Sequence, residues 1–207
     1  MYARTTTLRG NPRAVEQAIA VVRDEWLPAT TELDGCTGLS LLAGRRSGRC
    51  IVTSGWRTEE TMQASAESMR PHRARIAQVL GAVPMVNEWE IAVMHRVQPA
   101  GPEACCRVTW GAHLDPARLD DDLGTFRMTL LPRFEELVGF SSASLMIDRV
   151  AGRTVLAVTY ADPEAMLAAG QRADLLRDQY ARAMGARVTE IAEFDLAVAH
   201  LRIPETV

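Results

Sequence analysis

Apolar residues recur near the start of the chain with the period of a helix: Val15, Ile19, Val22 and Trp26 form one stripe. Asn11-Pro12 reads as an N-cap followed by proline at the first helical position, and Asp34-Gly35 as the stop. The flanking segments have strand character. Residues 2–8 are short and rich in β-formers, and 37–45 and Arg49–Trp56 are joined by Arg46-Ser47-Gly48, residues that suit a hairpin turn. A second helix is predicted over 58–80 through Met62, Ala66, Met69 and Ile76, and 87–96 reads as a closing strand.

The pattern then occurs again. Leu27-Pro28, Glu32-Leu33, Gly35, Arg45, Gly48-Arg49, Glu60 and Met62 return at one constant spacing as Leu131-Pro132, Glu136-Leu137, Gly139, Arg149, Gly152-Arg153, Glu164 and Met166. The second copy has a strand at 107–111, a helix from Asp115-Pro116, a hairpin at Ala151-Gly152, a helix from Asp162-Pro163 and a last strand at 193–202. Each copy reads as βαββαβ, the ferredoxin-like α+β order, with helices on one face of an antiparallel sheet. The predicted division is a first module at 1–97, a linker at 98–105 containing Pro99, Gly101 and Pro102, and a second module at 106–207. Each sheet has a second face to cover, and two copies cover both by packing together, so the expected architecture is an α+β barrel built as a pseudo-dimer within one chain. Association of two chains as a homodimer stays open.

Composition narrows the function classes. A formal net charge of −3 over 207 residues argues against a nucleic-acid surface. No apolar run approaches the length of a membrane helix and no signal peptide is evident, so a cytoplasmic protein without a membrane partner is expected. All 23 basic residues are arginine, which removes Schiff-base catalysis and the P-loop lysine. Cys36, Cys50, Cys105 and Cys106 have no metal spacing and read as buried small hydrophobes, with a redox disulfide between the vicinal pair as the alternative.

The stretch Val52-Thr53-Ser54-Gly55-Trp56-Arg57-Thr58-Glu59-Glu60-Thr61-Met62, then Ser68 and Pro71-His72, resembles the antibiotic biosynthesis monooxygenase family, as does Asp34-Gly35 ahead of a strand. The resemblance covers the first copy well; the second keeps mainly Tyr160, Glu164 and Met166. It implies the dimeric α+β barrel fold. It also implies oxidation of quinols or anthrone-like polycyclic phenols by O₂ without metal, flavin or other cofactor, the substrate reacting as its anion. The chain departs from the family at Met62 and Ser65, where a histidine or tyrosine is common, and at Val52, where some members position substrate with asparagine. The residue set of the haem-degrading branch is missing.

Six residues are the site candidates. Arg73 lies on the apolar row of the second helix and would hold a phenolate; the alternative is a salt bridge to Glu88 or Glu90. His72, beside Pro71, would accept the substrate proton, or is a solvent-facing histidine at a bend. Trp56 and Met62 would line the pocket of the first copy; in the second, Tyr160 is the counterpart of Trp56 and Arg177 that of Arg73, and core packing explains the aromatic pair equally well. The expected function is a cofactor-independent monooxygenase of a small aromatic molecule. The alternatives are a binding or structural barrel without activity, and a polyketide cyclase.

Overall fold

The computed structural model describes residues 1–201; the predicted end of the last strand at 202 and the remainder of the second module lie outside them. The fold is α+β. Eight antiparallel strands close into a barrel in the hydrogen-bonded order β1-β3-β2-β8-β5-β7-β6-β4. They are β1 (Tyr2–Arg9), β2 (Cys36–Gly44), β3 (Arg49–Trp56), β4 (Met85–Arg96), β5 (Cys105–Ala112), β6 (Phe140–Asp148), β7 (Arg153–Tyr160) and β8 (Arg187–Leu201). Two compact units divide the chain. One is Met1–Glu90 with the strand segment that begins at Phe194, and the other is Ile91–Glu193. This division differs from the division by repeat because β4 and β8 each run on from one unit into the other.

In the first unit β3 is central, pairing with β1 from Tyr2↔Trp56 to Arg9↔Arg49 and with β2 from Cys36↔Trp56 to Gly44↔Arg49. Gly48 closes the β2–β3 hairpin with φ +68°, a left-handed conformation that favours glycine. The first helix starts as predicted, with the Asn11 side chain accepting from the Arg13 N–H and Pro12 at the first position. It then widens. Between α1 (Val15–Val21) and α2 (Leu27–Thr31), residues Val22–Trp26 form a π turn in which the Leu27 N–H reaches back to the Val22 carbonyl. Pro28 is the cause: its ring would collide with the carbonyl four residues back, and the wider turn moves that carbonyl aside. The helix predicted over 58–80 is two helices, α3 (Glu59–Ala64) and α4 (Arg70–Leu80). The Ser65 hydroxyl donates to the Met62 carbonyl at 2.6 Å, and Pro71 sits in the first turn of α4, so Pro71 starts a helix and does not kink one. Leu8, Val15, Val22, Trp26, Leu41, Val52, Ile76 and Leu80 fill the core between these helices and the sheet.

In the second unit β7 is central between β5 and β6, with Tyr160 opposite Cys105 and Phe140. The helices are α5 (Leu119–Thr125), α6 (Leu131–Glu135), α7 (Pro163–Ala168) and α8 (Gly170–Ala183). A π turn at Phe126–Leu130 precedes Pro132, as at Pro28. Phe126 packs between Phe134 and Tyr180, with ring centroids at 6.3 and 5.7 Å, and the Tyr180 hydroxyl bonds Thr154 at 2.7 Å. No helix among the described residues is long and apolar enough to cross a membrane.

All four cysteines are buried thiols, and none of them is in a disulfide. Burial pushes the Cys50 thiol up to about 11 and the Cys106 thiol up to about 12. The folded chain therefore holds these protons more tightly than the unfolded chain. Their contribution to stability is complete below the ordinary thiol range near pH 9 and is lost as pH rises towards 11–12. The expected loss is about 1.4 kcal/mol per pH unit for each thiol, read from urea midpoints across alkaline pH. A thiol reagent should label none of the cysteines of the native protein at neutral pH and all of them in denaturant.

Candidate functional site

Strand alternation places Tyr2, Arg4, Thr6 and Leu8 on one face of β1, and Leu8 belongs to the core beneath the helices. Arg4 thus stands in a core-facing row, 4% exposed. Its guanidinium is held on three sides. Nε and Nη2 donate to Glu88 Oε1 at 3.0 and 2.7 Å, and Nη1 donates to Ser65 Oγ at 2.8 Å. The other oxygen of Glu88 accepts from Gln63 Nε2 at 2.6 Å, so both carboxylate oxygens are engaged. Trp56 Nε1 donates to Ser54 Oγ at 3.1 Å, and that hydroxyl donates to the Arg4 carbonyl at 3.4 Å. Trp56, Met62 and Cys36 form one buried cluster with Tyr2 and Leu33 against it.

Arg73 reaches the same turn from α4. Its Nη2 donates to the Ala66 carbonyl at 2.8 Å, one residue beyond the serine that Arg4 holds. Its Nη1 is buried and has no hydrogen-bond partner. The alternative reading was a salt bridge to Glu88 or Glu90; the one to Glu88 is not made, because that carboxylate is taken by Arg4 and Gln63. Desolvation, followed by the charge of Arg4, lowers the Arg73 pKa from its usual value. A guanidinium next to a second guanidinium, with a free donor out of water, is an arrangement that an anion would relieve.

The structure brings some candidates together and separates others. Trp56 and Met62 share one cluster, and Arg73 ends at the turn that follows Met62. His72 is half-buried and stacks on Trp26, with centroids at 6.5 Å and planes 19° apart. Trp56 is 0% exposed and Tyr160 1%, so both rings are packed on all sides. Burial pushes the Tyr160 hydroxyl up to about 12, against the charge of Arg107. Arg177 is neutralised: Nη1 donates to Asp174 at 2.7 Å, and Nε and Nη2 donate to Asp178 at 3.1 and 2.9 Å. Sequence reasoning missed Arg4, Ser65, Gln63 and Trp26. Arg4 had a signal, a cation in the same alternating row as Tyr2 and Leu8. Ser65 had one as well, its place at a position where the family that the chain resembles often carries a histidine or tyrosine.

No family model matches the chain. The uncharacterized proteins Rv2558 and Rv2557 of Mycobacterium tuberculosis are 46% and 42% identical to it, over 100% of this chain and 88% and 92% of theirs. Among solved structures, a candidate monooxygenase from Lactobacillus acidophilus has a TM-score of 0.70 at 10% identity, covering 97% of this chain and 96% of that one. An anthrone oxidase-like protein has a TM-score of 0.64 at 14% identity, covering 99% and 94%. At such identities the likeness establishes the fold, an α+β barrel shared with monooxygenase-like proteins, and leaves the chemistry to the site. Whole-length identity of this order to the mycobacterial proteins is decisive for kinship: the chain belongs to the family of Rv2558 and Rv2557.

Proposed function

We propose that the chain is a monooxygenase-like enzyme acting on a small quinol or anthrone-like phenol, built as a tandem of two ferredoxin-like modules. The tandem reading is supported by the recurrence of Leu27-Pro28, Gly35 and Gly48-Arg49 in the second half, and by the matching π turns before Pro28 and Pro132. The functional reading is carried by one observation, the buried Nη1 of Arg73 that has no acceptor. Its neighbour in sequence, His72, is only half-buried on Trp26 and keeps access to solvent. In this scheme His72 takes a proton from the substrate, and Arg73 holds the resulting phenolate. Trp56 and Met62 act beneath them, through Ser54 and Ser65, as positioning residues.

The reaction balances without a further reductant. For an anthrone-like methylene, two C–H bonds are replaced by one C=O bond. One oxygen atom of O₂ enters the product and the other leaves as water, the substrate supplying all the electrons. The shared fold of an anthrone oxidase-like protein is consistent with this substrate class. The test is oxygen uptake by the purified protein, with chelator present, over a panel of anthrones and dihydroquinones. Uptake is expected with at least one compound, and His72→Ala should lower it by about 10²–10⁴-fold. Conversion of substrate without oxygen uptake would favour a cyclase that uses the same base and cation. No reaction with any compound would count against the enzyme reading.

A further inference from the structure

The two units place different charge at the same position. Register identifies the equivalents: Arg4 pairs with Ser54 on the central strand of the first unit, and Arg107 pairs with Val158 on that of the second. In the first unit Arg4 and Arg73 converge on Ser65 and Ala66; the Glu88 carboxylate is engaged by Arg4 and Gln63, and Glu67 pairs with Arg70 at 3.2 Å. The local sum, with Arg70 and Glu67 counted, is three guanidinium charges against two carboxylates. In the second unit the sum is reversed. Arg107 donates to Glu193 at 3.0 and 2.7 Å, and its Nη1, which makes no hydrogen bond, still faces the Asp174 carboxylate at 3.9 Å. Arg177 is bound to Asp174 and Asp178, so two guanidinium groups meet three carboxylates. At the constant spacing of the repeat, Asp174 replaces Arg70, Asp178 replaces Ala74, and Ala169 replaces the Ser65 hydroxyl that anchors Arg4.

We infer that the chain binds one aromatic oxyanion, a carboxylate or an ionised phenol, in the first unit alone, seated on Arg73 Nη1 in the field of Arg4. The second unit is a silent copy whose cation is closed by its own carboxylates. An anion on Arg73 would bring the first cluster to balanced charge and satisfy its free donor. The same anion would meet a surplus of carboxylate in the second unit, where like charge opposes it. This rests on the proposed role of Arg73 as a ligand-binding group and is independent of oxygen chemistry.

The experiment is calorimetric titration of the full-length protein with benzoate, para-nitrophenolate and the neutral isostere benzamide. Benzoate or para-nitrophenolate should bind at one molecule per chain, about tenfold or more tighter than benzamide. The tighter of the two oxyanions names the source of the charge. Arg73→Met should abolish oxyanion binding entirely while the circular dichroism spectrum is unchanged. Two molecules per chain, one site remaining in Arg73→Met, equal binding of benzamide, or no binding of either oxyanion would each overturn the inference. Because no turnover is read, oxyanion binding without oxygen uptake would sustain it while removing the monooxygenase reading.

Discussion

Arg73→Met is expected to make the free protein more stable by about 1 kcal/mol and to lower kcat/KM by about a hundred- to a thousandfold. The two effects have one origin. The guanidinium makes one bond, to the Ala66 carbonyl, while Nη1 lies buried with no acceptor and the charge of Arg4 stands close by. Leaving a donor unpaired out of water costs about 1–3 kcal/mol, and removing it recovers part of that against the loss of the Ala66 bond. The repulsion from Arg4 disappears as well, and because it is screened by ions the stabilisation should be larger at low salt. Methionine keeps the unbranched stem, so packing along α4 is little changed. The proposed phenolate then has no free guanidinium donor to receive it. Urea unfolding at two salt concentrations, alongside steady-state kinetics on any substrate that the panel finds, checks both halves. A variant that is less stable and fully active would show that Arg73 is a structural cation.

Trp56→Ala is expected to cost about 3–5 kcal/mol, the range for deleting a large buried aromatic. The ring is wholly buried at the end of the central strand, between Tyr2 on β1 and Cys36 on β2, and Met62 of α3 closes over it. Its loss opens a cavity and removes the donor to Ser54 Oγ, the hydroxyl that in turn bonds the Arg4 carbonyl. Stability should therefore fall through packing, and the Arg4 network should loosen with it. Trp56→Phe separates the two contributions: it keeps most of the ring volume and loses the indole donor, so about 1–2 kcal/mol is expected. The urea midpoint should fall in both variants with an unchanged m-value. A change in Trp56→Ala below 1 kcal/mol would mean that the ring lines open space, as a pocket wall would.

Much of this architecture is written in local patterns. The Asn11-Pro12 cap, the hairpin at Gly48 and the central strand ending at Trp56 all follow from residues close together in sequence. The split of the second helix was less legible, since Pro71 fits a kink as well as a start; the bond from Ser65 back to Met62 decides it. The widened turns before Pro28 and Pro132 require knowing how the helix absorbs the proline. The site shows the limit more sharply. The 3.6-residue spacing exposed Arg73 as a cation on a core-facing row, but which arginine captures Glu88 depends on the register of β1 against β4, two strands far apart in the chain. Arg4 sits directly across from Glu88 in that register, and Arg73 is left without an ion pair to that carboxylate for this reason. Charge quenching in the second unit was more accessible: Asp174 and Asp178 lie three residues before and one after Arg177, spacings that meet on a helix surface or lie beside it.

The central claim, that this α+β barrel oxygenates a phenolic substrate at the first-unit cation site, is tested most directly by turnover under isotopically heavy dioxygen with mass spectrometry of the product. The account predicts one heavy oxygen atom per product molecule, with chelator present, and labelled product formed about a hundred- to a thousandfold more slowly in Arg73→Met. Product that carries no heavy oxygen, or that forms as fast in Arg73→Met, would contradict it.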